Sequence, residues 1–159
     1  MTIMSLRENM TFGTTLESDC APLADLVADV LAAAPDTHVL RDPTRGGLAT
    51  TLNEIAGESG VGMMLEETAI PVSDAVRAAC EFLGLDPLYV ANEGKLIAIV
   101  PANEADAALA AMHANARGRD AAVIGTVTEA HRGFVEMRTP MGGVRTVDWL
   151  TGEQLPRIC

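Results

Sequence analysis

The segment His38-Val39-Leu40-Arg41-Asp42-Pro43-Thr44-Arg45-Gly46-Gly47-Leu48-Ala49-Thr50 changes its pattern twice. His38–Arg41 is short and apolar at its centre, and reads as a strand. Asp42–Gly47 holds a proline and two adjacent glycines and reads as a turn. From Leu48 to Glu58 the apolar residues Leu48, Leu52, Ile55 and Ala56 share one helical face, and Gly60 ends the run. A strand that passes through a glycine turn into an amphipathic helix predicts an α/β arrangement.

The flanking sequence extends this pattern. Upstream, Ile3–Met10 is a short amphipathic piece, and residues 14–19 are polar and acidic. Leu23, Leu26, Val27, Val30 and Leu31 then predict a helix, capped by Ser18 or Asp19, with Pro22 in its first turn and Pro35 as its stop. Downstream, Val61–Leu65 predicts a strand. Pro71 and Ser73 open a helix through Val76, Ala79, Cys80 and Leu83, closed by Gly84. Leu88–Ala91 and Leu96–Val100 predict two strands around the turn Asn92-Glu93-Gly94-Lys95. Glu104–Ala116 is an alanine-rich helix, and Ala122–Val127, Phe134–Arg138 and Val144–Trp149 predict three more strands. The fold class is therefore α/β (α+β), a mixed sheet with helices packed on it. Residues 1–150 are expected to form one domain and residues 151–159 a mobile tail.

Composition narrows the function. The 159 residues carry 11 Lys+Arg against 22 Asp+Glu, a formal charge of −11, which has the wrong sign for a nucleic-acid binder. No apolar run approaches the roughly 18–20 residues that a membrane helix needs. Arg7, Glu8 and Asn9 follow the start too closely for a signal peptide, so a cytoplasmic location is expected. Cys20, Cys80 and Cys159 are far apart, as are His38, His113 and His131. That spacing argues against a disulfide framework and a structural zinc site, and leaves open only a metal site that the fold assembles from distant residues.

Three segments invite chemistry. In Asp42–Gly47, glycines let the backbone approach a ligand, the following helix start offers N–H groups to an anion, and Thr44 and Arg45 add a hydroxyl and a guanidinium fork. The alternative is an ordinary helix start capped by Asp42. In Asn92–Lys95, Glu93 is a carboxylate held on a tight turn beside Asn92 and can act as a general base. The alternative is a solvated hairpin turn in which Glu93 and Lys95 balance each other. In Leu155-Pro156-Arg157-Ile158-Cys159, the terminal thiol is either a carrier on a swinging arm or an unselected exposed residue. Arg157 favours its thiolate and the terminal carboxylate opposes it.

Taken together and in this order, His38–Thr50, Ala91-Asn92-Glu93-Gly94-Lys95-Leu96 and Pro156-Arg157-Ile158-Cys159 resemble the HypE family, as does Thr14–Leu23. This family comprises hydrogenase-maturation carbamoyl dehydratases of the aminoimidazole ribonucleotide synthetase superfamily. The resemblance implies that Cys159 carries a carbamoyl group, that Glu93 is the base, and that Asp42, Thr44, Arg45, Gly46 and Gly47 meet phosphate. Asn92 and Arg157 would support them. It further implies ATP with Mg as substrate, with no tightly bound cofactor in this chain. The implied partners are a HypF-type carbamoyltransferase, iron-carrying HypC/HypD-type proteins and a second copy of the full-length protein. Family members also have a preceding domain that forms the dimer and most of the ATP site. This chain would then be a C-terminal fragment, inactive by itself, that lacks even the opening strand of the second domain, with Ile3–Glu8 resembling the helix that follows that strand. Two other readings stand beside it: a different synthetase of the superfamily, which would not need Cys159, and a non-catalytic docking module.

Overall fold

A computed structural model of the protein describes residues 18–150. Among these residues, α1 (Ala24–Ala33) leads to β1 (Val39–Arg41), α2 (Gly47–Ser59) and β2 (Gly62–Glu66). After a 3-10 turn at Glu67–Ala69 come α3 (Asp74–Leu83), a second 3-10 turn at Pro87–Tyr89 and β3 (Ile97–Ile99). The chain continues with α4 (Ala105–Ala114), β4 (Gly125–Thr128), β5 (Val135–Arg138) and β6 (Val144–Thr146).

The strands form two sheets. β1 pairs antiparallel with β3, Leu40 opposite Ala98. The larger sheet has the order β4-β2-β5-β6, in which β2 and β5 run parallel and the other two pairings are antiparallel. The fold is thus mixed α/β, as the alternation of patterns predicts. Period-2 alternation along β2 and β5 sends Met63, Leu65, Val135 and Met137 to one face. There they meet Ala49, Leu52, Ile55 and Ala56 of α2, with Leu88, Ile97 and Val147 closing the core.

Helix ends follow local chemistry. Gly60 and Gly84 take left-handed conformations just past α2 and α3, and the Ser73 hydroxyl accepts the Val76 N–H at 3.4 Å. Three expectations are corrected. α1 starts at Ala24 with Leu23 at its cap, so Ser18 and Asp19 do not cap it and Pro22 lies outside it. Asp42 does not cap α2, because Gly46 occupies that position in a left-handed conformation. Leu88–Ala91 is not a strand. Asp86 accepts the Leu88 N–H at 2.9 Å, and Pro87 begins a 3-10 turn that drives Leu88 into the core. β3 accordingly pairs with β1, and residues 92–95 do not close a hairpin.

Candidate active site

The turn between β1 and α2 is shaped by its glycines. Gly46 (φ +75°) and Gly47 (φ +63°) both occupy the left-handed region, and the Gly47 N–H donates to the Thr44 carbonyl at 3.0 Å. A Cβ on Gly47 would lie 2.5 Å from the Leu88 carbonyl oxygen and 2.6 Å from that of Val90. α2 therefore begins pressed against the 87–90 backbone, a contact that a side chain would forbid. Pro43, Gly46 and Gly47 are buried, Thr44 is half-buried, and Asp42 and Arg45 are exposed.

Asn92–Lys95 packs onto this turn. The Asn92 N–H donates to the Pro43 carbonyl at 3.1 Å, while its side-chain amide donates to the Val90 carbonyl at 2.8 Å. The Glu93 N–H donates to Asp19 Oδ2 at 3.1 Å, and Lys95 Nζ lies 3.8 Å from the same oxygen. A Cβ on Gly94 would collide with the Asp19 carbonyl. Lys95 therefore balances Asp19 rather than Glu93. The Glu93 side chain is exposed and pairs with no cation among the described residues.

Beyond β6, residues 147–150 are held against the core. The Val147 N–H donates to the Val135 carbonyl at 2.8 Å, and the Val147 carbonyl accepts from Asn53 Nδ2 at 2.9 Å. The Tyr89 hydroxyl donates to the Asp148 carbonyl at 2.9 Å. Burial pushes the Tyr89 phenol above its usual range, with the Asp86 carboxylate adding to the shift, so it stays a donor. Trp149 and Leu150 then line a cavity of about 300 Å³ with Arg45, Gly46, Thr50 and Glu54.

This cavity suits an oxyanion on one side. Arg45 pairs with no carboxylate among the described residues, whereas Glu54 is held by Arg41. The Thr50 hydroxyl is buried and has no hydrogen-bond partner among the described residues. A guanidinium fork beside a helix N-terminus is an arrangement that a phosphate oxygen meets well, whereas the Thr50 hydroxyl is packed against Gly46 rather than open to the cavity. Among the described residues, no three of His, Cys, Asp or Glu converge on a metal-sized space.

Of the sequence-predicted site, the structure brings together the 42–47 turn, Asn92 and the backbone of Glu93. Cys159 and Arg157 lie outside the described residues. Cys20 is exposed, next to Asp19. Cys80 is buried, and burial, reinforced by Asp86, pushes its thiol up. Asp19, Asn53, Thr50, Tyr89 and Trp149 had not been singled out as site residues. Asn53 did leave a signal, an amide at the core-facing spacing between Ala49 and Ala56.

Several known proteins are similar to this chain. Two curated relatives, both called carbamoyl dehydratase HypE, come from Cupriavidus necator and Azotobacter vinelandii. The first is 65% identical over 157 residues (99% of this chain, 45% of the relative), and the second is 64% identical over 159 residues (100% and 47%). The chain thus spans about half the length of the curated relatives it matches. A crystal structure of the hydrogenase maturation protein HypE superposes with a TM-score of 0.93 at 52% identity, covering 99% of this chain and 51% of that one. A HypE structure in complex with ATP gives 0.91 at 52% identity (99% and 48%), and a HypE–HypF complex gives 0.87 at 42% identity (92% and 48%). Among the described residues no helix is long and apolar enough to cross a membrane. The family model described as AIR synthase related protein, C-terminal domain, matches residues 1–138, and the chain belongs to that family.

Proposed function

We propose that this chain is the thiol-carrying half of an ATP-dependent carbamoyl dehydratase that makes cyanide for a nickel–iron hydrogenase centre. The observation that carries the proposal is that the 42–47 turn, the 92–95 turn and residues 147–148 are tied to one part of the fold. The Asn92 N–H joins the 92–95 turn to Pro43, and Tyr89, in the 3-10 turn that packs against Gly47, donates to the Asp148 carbonyl. The curated relatives' name and the solved complexes with ATP and with HypF support the same activity.

The chemistry follows from these groups. A HypF-type carbamoyltransferase loads a carbamoyl group onto the Cys159 sulfur, whose thiolate Arg157 favours. The γ-phosphoryl of ATP passes to the carbamoyl oxygen, releasing ADP and turning that oxygen into part of a good leaving group. The nitrogen gives up both protons, one as the oxygen is phosphorylated and one as the C–O bond breaks. Phosphate departs and S–C≡N remains on Cys159. Glu93 is the base, and Asn92 fixes its turn. Thr44, Arg45, Gly46 and Gly47 face the transferred phosphate, with Asp42 at the mouth of the turn. ATP arrives with Mg, and the remaining nucleotide contacts come from the other half of the full-length homodimer. Iron-carrying HypC/HypD-type proteins then receive the cyanide in the cytoplasm. The nine residues 151–159 act as the arm, and at about 3.3–3.6 Å per residue they reach at most about 32 Å.

The test is a chimaera in which this chain replaces the matching half of the Cupriavidus necator relative. Given HypF, ¹³C-labelled carbamoyl phosphate and ATP, it should develop a ¹³C≡N signal, and Cys159→Ala should abolish it. A labelled nitrile that forms equally well without Cys159 would sink the proposal.

A further inference from the structure

Where the chain leaves the core, two side chains from different elements take hold of consecutive carbonyls. Asn53, 4% exposed in the middle of α2, spends one amide hydrogen on the Ala49 carbonyl at 2.9 Å and the other on the Val147 carbonyl at 2.9 Å. Tyr89, next to the Leu88 and Val90 carbonyls that fix the start of α2, donates its hydroxyl to the Asp148 carbonyl at 2.9 Å. β6 ends at Thr146, so these two carbonyls lie beyond its ladder with β5. Trp149, the only tryptophan of the chain, follows at once and lies in the cavity wall with Arg45 and Thr50.

A buried asparagine on an apolar helix face is costly unless it is satisfied, and this one is satisfied by backbone 94 residues away. Core packing alone would have been served by leucine. The amide instead holds the Val147 carbonyl, adding to the Val147 N–H bond to Val135, and Tyr89 holds the next carbonyl, that of Asp148. We propose that Asn53 and Tyr89 are positioning residues, a two-point clamp that sets the pivot of the C-terminal arm at Trp149, beside the Arg45–Thr50 cavity. The inference rests on the carrier reading of Cys159. A fixed pivot keeps a tethered thiol near its target, and loss of such placement lowers the rate of the intramolecular step rather than of loading by an external partner.

Tyr89→Phe deletes the hydroxyl and keeps the ring in place. In the 159-residue chain, the released population of the arm root should rise roughly two- to tenfold, the equivalent of one hydrogen bond. Trp149 would report this as lower fluorescence anisotropy and stronger acrylamide quenching, with the melting temperature little changed. In the chimaera, loading of Cys159 should proceed as in the parent while ATP-dependent dehydration slows by roughly three- to tenfold. Wild-type anisotropy and quenching in Tyr89→Phe would overturn the clamp, and equal slowing of loading and dehydration would overturn the positioning role. A parent chimaera that never loads Cys159 would overturn that role by removing the carrier reading beneath it. This last failure is distinguishable, because Trp149 would still respond to Tyr89→Phe.

Discussion

The backbone N–H of Asn92 donates to the carbonyl of Pro43 at 3.1 Å, joining two turns that are 49 residues apart in the chain. Because the bond is between backbones, it places the Glu93 turn and the Arg45 turn in one rigid frame. A base and a phosphate contact that must act on one tethered group need such a frame.

Glu93→Gln keeps the shape of the side chain and removes its basicity. In the chimaera, carbamoylation of Cys159 should survive while nitrile formation falls by about 10²- to 10⁴-fold, the usual contribution of a general base. Single-turnover kinetics on the carbamoylated protein measures it. A variant that dehydrates at the parent rate would leave Glu93 as a turn residue only.

Gly47→Ala should destabilise the chain, because the left-handed φ alone costs about 1–2 kcal/mol and the new methyl meets the Leu88 and Val90 carbonyls. A fall in Tm of roughly 3–8 °C follows for a domain of this size. Gly57 lies inside α2 with open space around it, and Gly57→Ala should instead raise stability by about 0.5–1 kcal/mol. Calorimetry of the pair checks both signs.

The outline of the fold was legible in the sequence because the apolar periods of α2, α3, β2 and β5 are unambiguous. Cys80 was recognisable as a core residue from its helical spacing alone. The Leu88–Ala91 strand failed because a four-residue apolar run cannot outvote the capping chemistry of Asp86 and Pro87 just before it. The assembled site was illegible for a different reason. Its links run through main-chain groups of Pro43, Leu88, Val90, Asn92, Val147 and Asp148, and backbone atoms leave no side-chain signature. Gly47 and Gly94 were the traces of those links. Gly47 was noted for ligand approach, and both mark where backbone crosses backbone.

Cys80 gives a pH dependence whose sign is fixed. Its folded thiol titrates above the ordinary value of 9.0, chiefly through burial. The unfolded chain therefore loses this proton first, and stability that is intact below that value declines as pH rises through and beyond it. Urea unfolding at about pH 8 and about pH 10 should show a larger loss for the parent than for Cys80→Ala. A thiol reagent should label exposed Cys20 in the native chain and reach Cys80 only on unfolding. Equal labelling of the two in the native state would contradict the burial argument.

The 159-residue chain should bind Mg-ATP weakly or not at all. Its formal charge of −11 repels nucleotide, and Arg45 with the α2 N-terminus offers one contact region. Titration calorimetry decides this. A clear micromolar isotherm would make the Asp42–Gly47 turn a self-sufficient phosphate cradle rather than half of a shared one.

The central claim is that the terminal thiol is the carrier, and peptide mass mapping tests it most directly. The chimaera is treated with HypF, carbamoyl phosphate and ATP, quenched and digested. The account predicts, in samples quenched early, a carbamoyl adduct on the peptide ending in Cys159 that gives way in later samples to an adduct lighter by one water. Cys80 should stay unmodified within the core, and Cys20, though exposed, should stay unmodified because it lies on the scaffold rather than on the arm. An adduct on Cys20 with Cys159 unmodified would contradict the account.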